Sequence, residues 1–149
     1  MDFRLTEEQE QVKQMVRDFA EREIKPHVME WDEAQHFPLA TIKELGRLGM
    51  LGAIFPEQYG GAGLSYVDYV NIIEELAVVE SGVALAVAAH NSLCSGHIYL
   101  GGNEAQRKKY LPKLTTGEWI GCWALTEPAS GSDAAGLRCS AVQDGDDWV

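Results

Sequence analysis

Two carboxylates, Glu127 and Asp133, share a short stretch from Trp119 to Gly136 with the hydroxyls of Thr126, Ser130 and Ser132. A carboxylate in a loop beside a bound substrate has the chemistry of a general base, and residue chemistry alone nominates either one. The same stretch opens with an apolar run, Trp119 to Leu125, and is then broken by Pro128, Gly131 and Gly136. That pattern predicts a strand ending in an exposed turn. Backbone N–H groups at such an end lack ladder partners, and glycine lets a ligand approach them closely.

Other residues with chemical potential receive blander readings. The loop from Phe55 to Gly63 carries Gly60, Gly61 and Gly63, but helical patterns flank it on both sides, so it predicts an interhelical turn and not a phosphate cradle. His90 and His97, seven apart, share a helix face without carboxylate or cysteine partners at ligand spacing. Histidines satisfied by hydrogen bonds are expected there, with no metal. Leu85, Ala89 and Leu93 form an i, i+4, i+8 stripe, suited either to an apolar ligand slot or to core packing. Arg107, Lys108 and Lys109 form a solvated basic face or an anion contact. Cys94, Cys122 and Cys139 are an odd set with no Cys-x-x-Cys pair, which disfavours a disulfide framework and predicts reduced, mostly buried thiols.

The elements that must position these groups are mainly helical. Thr6 to Gln9 predicts a capping box, followed by a helix burying Val12, Met15, Val16, Phe19 and Ile24 and ending near Pro26. A short helix around Val28 and Trp31 follows, then one from about Pro38 that turns Leu39, Ile42, Leu45 and Leu48 inward and stops at Gly49 or Gly52. Ser65 to Asp68 predicts a second capping box, with Tyr66, Val70, Ile73 and Ala77 as the buried face of a helix reaching about Glu80. The next helix, about Gly82 to Leu100, is apolar on most faces; Asn103 and Gln106 start another, and the chain turns at Tyr110 to Gly117. A strand from about Arg138 to Gln143 and a hairpin turn at Asp144 to Asp147 close the sequence. A return strand of two residues leaves a sheet incomplete, so the chain is expected to be the front part of something longer.

Composition limits the partners. A net charge of −11 in 149 residues argues against nucleic acid or an anionic membrane surface. No signal segment is readable at Met1 to Glu8, and the apolar stretch Val83 to Leu100 is too interrupted to span a bilayer; a cytoplasmic location is expected.

The thirteen residues Ala124 to Gly136, Ala-Leu-Thr-Glu-Pro-Ala-Ser-Gly-Ser-Asp-Ala-Ala-Gly, resemble the signature of the acyl-CoA dehydrogenase family at every constrained position. Glu7 to Gln9, Pro56 to Gly61, Glu74 to Ala77 and Lys109 to Pro112 are similar to stretches at matching places in that family. The resemblance implies an all-α N-terminal domain over residues 1–118 and the first strands of a β-domain over 119–149, with a C-terminal helical domain outside this chain. It implies FAD bound without a Rossmann fingerprint, and oxidation of an acyl-CoA to the trans-2-enoyl-CoA. In that reaction a carboxylate takes the α-proton and the β-hydrogen leaves as hydride to the flavin, with electrons passed on to electron-transfer flavoprotein. Carried over by position, Trp123, Leu125, Thr126, Gly131 and Ser132 contact the flavin, Ser132 also touches the CoA part, and Leu85, Ala89 and Leu93 line the acyl slot. Glu127 is not the base; the resemblance implies a Glu beyond Val149, so none of the residues present is catalytic. Local likeness at Asn91 to Leu93 and Ile120 to Leu125 points to short-chain or branched short-chain members, which are commonly homotetramers. An acyl-CoA oxidase or nitroalkane-type oxidase on the same scaffold, or a helical binding module without chemistry, are the alternatives.

Overall fold

The computed structural model describes residues 4–149. Helix α1 (Glu7–Phe19) starts at the expected capping box, with Thr6 Oγ1 accepting from the Gln9 N–H at 3.2 Å and Gln9 Oε1 accepting from the Thr6 N–H at 3.0 Å. It buries Val16 and Phe19 but leaves Met15 exposed. The chain then widens into a π turn, Ala20–Ile24, closed by the Lys25 N–H on the Ala20 carbonyl. Pro26 accounts for the change, since it has no N–H with which to continue the α ladder.

After α2 (Val28–Glu33), helix α3 (Leu39–Arg47) buries Ile42 and Leu45. Leu39 and Leu48, expected inside, are exposed at the two ends of that short helix. Gly49, at φ +82°, ends it in the left-handed conformation that glycine adopts without steric cost. In the glycine loop every N–H from Tyr59 to Leu64 donates to a backbone carbonyl, so no donor is left for a phosphate. Gly61 lies so close to Phe55 that a Cβ there would sit 2.0 Å from its carbonyl oxygen.

Helix α4 (Tyr66–Val79) begins at the second capping box, but its buried face is not the one expected. Tyr66 and Val70 are 72% and 62% exposed, whereas Tyr69, Ile72 and Leu76 are buried together with Asp68, Asn71 and Glu75. The inward face is masked in the sequence by its charges. Glu75, 2% exposed, receives a bidentate pair from Arg17 at 2.6 and 2.7 Å, with Lys13 at 3.4 Å. These partners replace the hydration a buried carboxylate loses.

The predicted helix from Gly82 is three pieces: α5 (Ser81–Ala88), a π segment Ala89–Ser95, and α6 (Gly96–Gly101). Side chains entering the ladder explain the π segment. The Asn91 amide donates to the Val87 and Met50 carbonyls at 3.0 and 2.9 Å, and the Ser92 hydroxyl to Ala88. Helix α7 (Glu104–Thr115) runs through Pro112, so of the expected turn from Tyr110 to Gly117 only Thr116 and Gly117 turn. Residues 120–126 and 137–142 belong to no helix or strand among the described residues, although Val142 exchanges backbone hydrogen bonds with Val149 at 2.8 and 2.9 Å. Only β1 (Gln143–Asp144) and β2 (Asp147–Trp148) pair, antiparallel across Gly145 and Asp146. The first predicted strand is therefore absent and the second is reduced to Gln143–Asp144, because the ladder partners that would define them are lacking. The thiols are free as expected, but Cys122 and Cys139 are exposed.

Two consequences can be checked by thermal denaturation. Arg17→Met should lower the Tm at pH 7 by several degrees. The hydrogen bonds from Arg17 hold the Glu75 carboxyl below its ordinary range, so the stabilisation is complete above that range and is lost as pH falls below it through the lowered pKa. A gap between wild type and variant that stays constant into acid would contradict this. Gly61→Ala should cost at least about 2 kcal/mol, because the Phe55 backbone has to give way.

Candidate functional site

The end of α7 anchors the stretch that follows it. The Thr115 hydroxyl donates to the Tyr59 carbonyl at 2.8 Å, and the Trp119 N–H donates back to Lys113 at 2.9 Å. His90, wholly buried, joins this hub to the next residues. Its Nε2 lies 3.1 Å from the Leu114 carbonyl and its Nδ1 accepts from the Gly121 N–H at 2.9 Å. A carbonyl only accepts, so Nε2 carries the proton and the ring is neutral. Burial pushes its pKa down and keeps it so.

Two more residues of the same helix face continue along the segment. Cys94 packs on Gly121, where a Cβ would come within 2.5 Å of its Sγ, and burial pushes the thiol up. The His97 ring lies on Trp123 with centroids 4.1 Å apart and planes 32° apart. Positions 90, 94 and 97 thus hold residues 121 to 123. The two histidines do share a face, as their spacing predicts, and that face holds a chain segment. The sequence reading missed this function for them; their i, i+4, i+7 spacing with Cys94 was the available signal.

Beyond Gly121 the backbone is open. Among the described residues, the N–H groups of Trp123, Ala124, Leu125 and Thr126 have no hydrogen-bond partner. Trp123 and Leu125 are 40% and 38% exposed, and Thr126, Gly131 and Ser132 are exposed. Free donors beside an exposed indole have the chemistry to meet a flat aromatic group that carries acceptors along its edge.

Glu127 faces the other way. Its carboxylate accepts from the Arg138 and Cys139 N–H groups at 2.7 and 2.9 Å, while its own backbone closes a turn with Ser130. The Ser130 hydroxyl in turn donates to the Asp133 carbonyl. Glu127 thus folds residues 127–139 into a loop, and its oxygens are committed to that task. Asp133 is exposed and precedes a single 3-10 turn, Ala134–Gly136.

The stripe on α5 and the π segment lies on open surface: Leu85 and Leu93 are exposed and Ala89 is half-buried. Among the described residues no second wall closes it into a slot. A cleft of about 340 Å³ lined by Val28, Trp31, His36, Phe37, Glu80 and Val83 shares no residue with this site. No group of three or more metal-ligating side chains occurs among the described residues, and no helix there is long and apolar enough to cross a membrane.

Comparison with known proteins identifies the family. A short-chain-specific acyl-CoA dehydrogenase of Clostridium acetobutylicum is 46% identical over the whole of this chain, which covers 39% of that protein. A chain in a structure of the electron transferring flavoprotein of Acidaminococcus fermentans superposes with a TM-score of 0.95 at 40% identity, over 100% of this chain and 39% of that one. An acyl-CoA dehydrogenase from Bacillus anthracis complexed with FAD gives 0.86 at 42% identity, over 92% of this chain and 24% of that one. The chain thus spans about two fifths or less of the length of these relatives. Residues 6–118 match the family model for the acyl-CoA dehydrogenase N-terminal domain, and the chain belongs to the acyl-CoA dehydrogenase family.

Proposed function

We propose that the protein carrying this chain is a FAD-dependent dehydrogenase that converts a short-chain or branched short-chain acyl-CoA to the trans-2-enoyl-CoA. We further propose that it passes the electrons to electron-transfer flavoprotein and works as a homotetramer. Residues 1–118 form its N-terminal helical domain and 119–149 begin its β-domain. The observation that carries the reading is the row of free donors from Trp123 to Thr126 in a chain of this family. The short-chain relative supports the substrate class, the FAD complex supports the cofactor, and the electron transferring flavoprotein structure supports the partner.

When bound, the flavin supplies the hydride acceptor. The chain's own residues hold it. The Leu125 and Thr126 N–H groups and the Thr126 hydroxyl would supply donors to its pyrimidine edge, which suits a hydride-accepting group that gains negative charge there. Trp123 would pack against the ring system, Gly131 would let the backbone approach closely, and Ser132 would serve both flavin and CoA. Leu85, Ala89 and Leu93 offer one apolar wall to the acyl chain. Glu127 takes no proton in this scheme, since both its oxygens brace Arg138 and Cys139.

Anaerobic titration of the purified yellow protein with butyryl-CoA should bleach the flavin, and turnover should require a flavoprotein acceptor. Rapid oxygen uptake without that acceptor would sink the dehydrogenase reading in favour of an oxidase. Thr126→Val should weaken flavin binding roughly fivefold, the loss of one hydrogen bond. Glu127→Gln should leave turnover within about tenfold of wild type, whereas loss of a general base costs on the order of a hundred- to ten-thousandfold. A collapse on that second scale would return Glu127 to the catalytic set.

A further inference from the structure

We propose that His97 is the positioning residue for the Trp123 ring, and through that ring for the flavin; the inference rests on the flavin reading above. The segment bearing Trp123 has no ladder hydrogen bonds from residue 123 to 126, so its side chain needs an external support. His97 is the aromatic ring that contacts it among the described residues, at 4.1 Å between centroids. The His97 ring is itself fixed. Its Nδ1 lies 2.6 Å from the Leu93 carbonyl, which can only accept, so Nδ1 carries the proton and the ring is tied to the helix one turn back. That bond leaves Nε2 as the nitrogen free to meet solvent or ligand, and the imidazole face to meet the indole.

Its position along the helix gives the support a purpose. His97 continues the four-residue spacing of Leu85, Ala89 and Leu93, at the end where that stripe meets Trp123. It therefore stands at the junction of the proposed acyl wall and the proposed flavin edge. Trp123 remains 40% exposed with His97 in contact, which leaves part of the indole available to a bound ring. Glu127, by contrast, shapes the loop from behind and touches neither ring.

The test compares His97→Ala and His97→Phe in the purified protein, alone and with added FAD. Removing the ring in His97→Ala should raise the flavin dissociation constant roughly two- to tenfold, the range of one aromatic pair. It should also shift the visible flavin absorption bands and increase tryptophan emission, and His97→Phe should restore the affinity and the bands. In a Trp123→Ala background, His97→Ala should add nothing further. Unchanged affinity and bands in His97→Ala would overturn the proposal, as would an equal loss in the Trp123→Ala background. Failure of the wild type to take up FAD would instead overturn the flavin reading. The emission change would then still decide whether His97 holds Trp123.

Discussion

A neutral imidazole, that of His90, ties the start of the proposed site segment to the helical body by hydrogen bonds. His90 donates to Leu114 at the end of α7 and accepts from Gly121 at the start of the open segment, so one ring spans two elements. A protonated ring would have no lone pair for the Gly121 N–H, and burial makes protonation unfavourable. The helix that carries it is shaped for the task. Asn91 and Ser92 bond into its ladder and open the π segment, the kind of irregularity that recurs at functional sites.

From that anchor the chain runs on through residues 122–126 without strand ladder or helix to hold it. Cys94 and His97 support it from the helix side, and the Glu127 carboxylate gathers Arg138 and Cys139 behind it. Donors left unpaired in this way are costly if buried and useful if they meet a ligand. The segment resolves the conflict by staying exposed between its fixed ends.

The helical part was legible in the sequence wherever a local rule decided it. The capping boxes at Thr6, Ser65 and Asn103 and the left-handed Gly49 stand where their residue types predict. Patterning failed where polarity and burial part company. Glu75 is charged and buried because Arg17 and Lys13, far away in sequence, meet it, and no window of α4 contains that information. The two strands failed for a related reason, since a strand exists only through its neighbour and residues 120–126 have none here. In the proposed site, residue chemistry alone nominates Glu127 within the Trp119 to Gly136 stretch, and the fold gives that side chain another task. Its carboxylate is a conspicuous base in the sequence and a backbone brace in the fold.

The central claim is that the open amides from Trp123 to Thr126 are the edge that receives the cofactor. Amide hydrogen exchange of the purified protein, with flavin stripped and then restored, addresses them directly. The account predicts fast exchange at these four amides without FAD and marked protection with it, while the glycine loop from Tyr59 to Leu64 is already slow and unchanged. Protection appearing in the glycine loop, with the four amides unaffected, would contradict it.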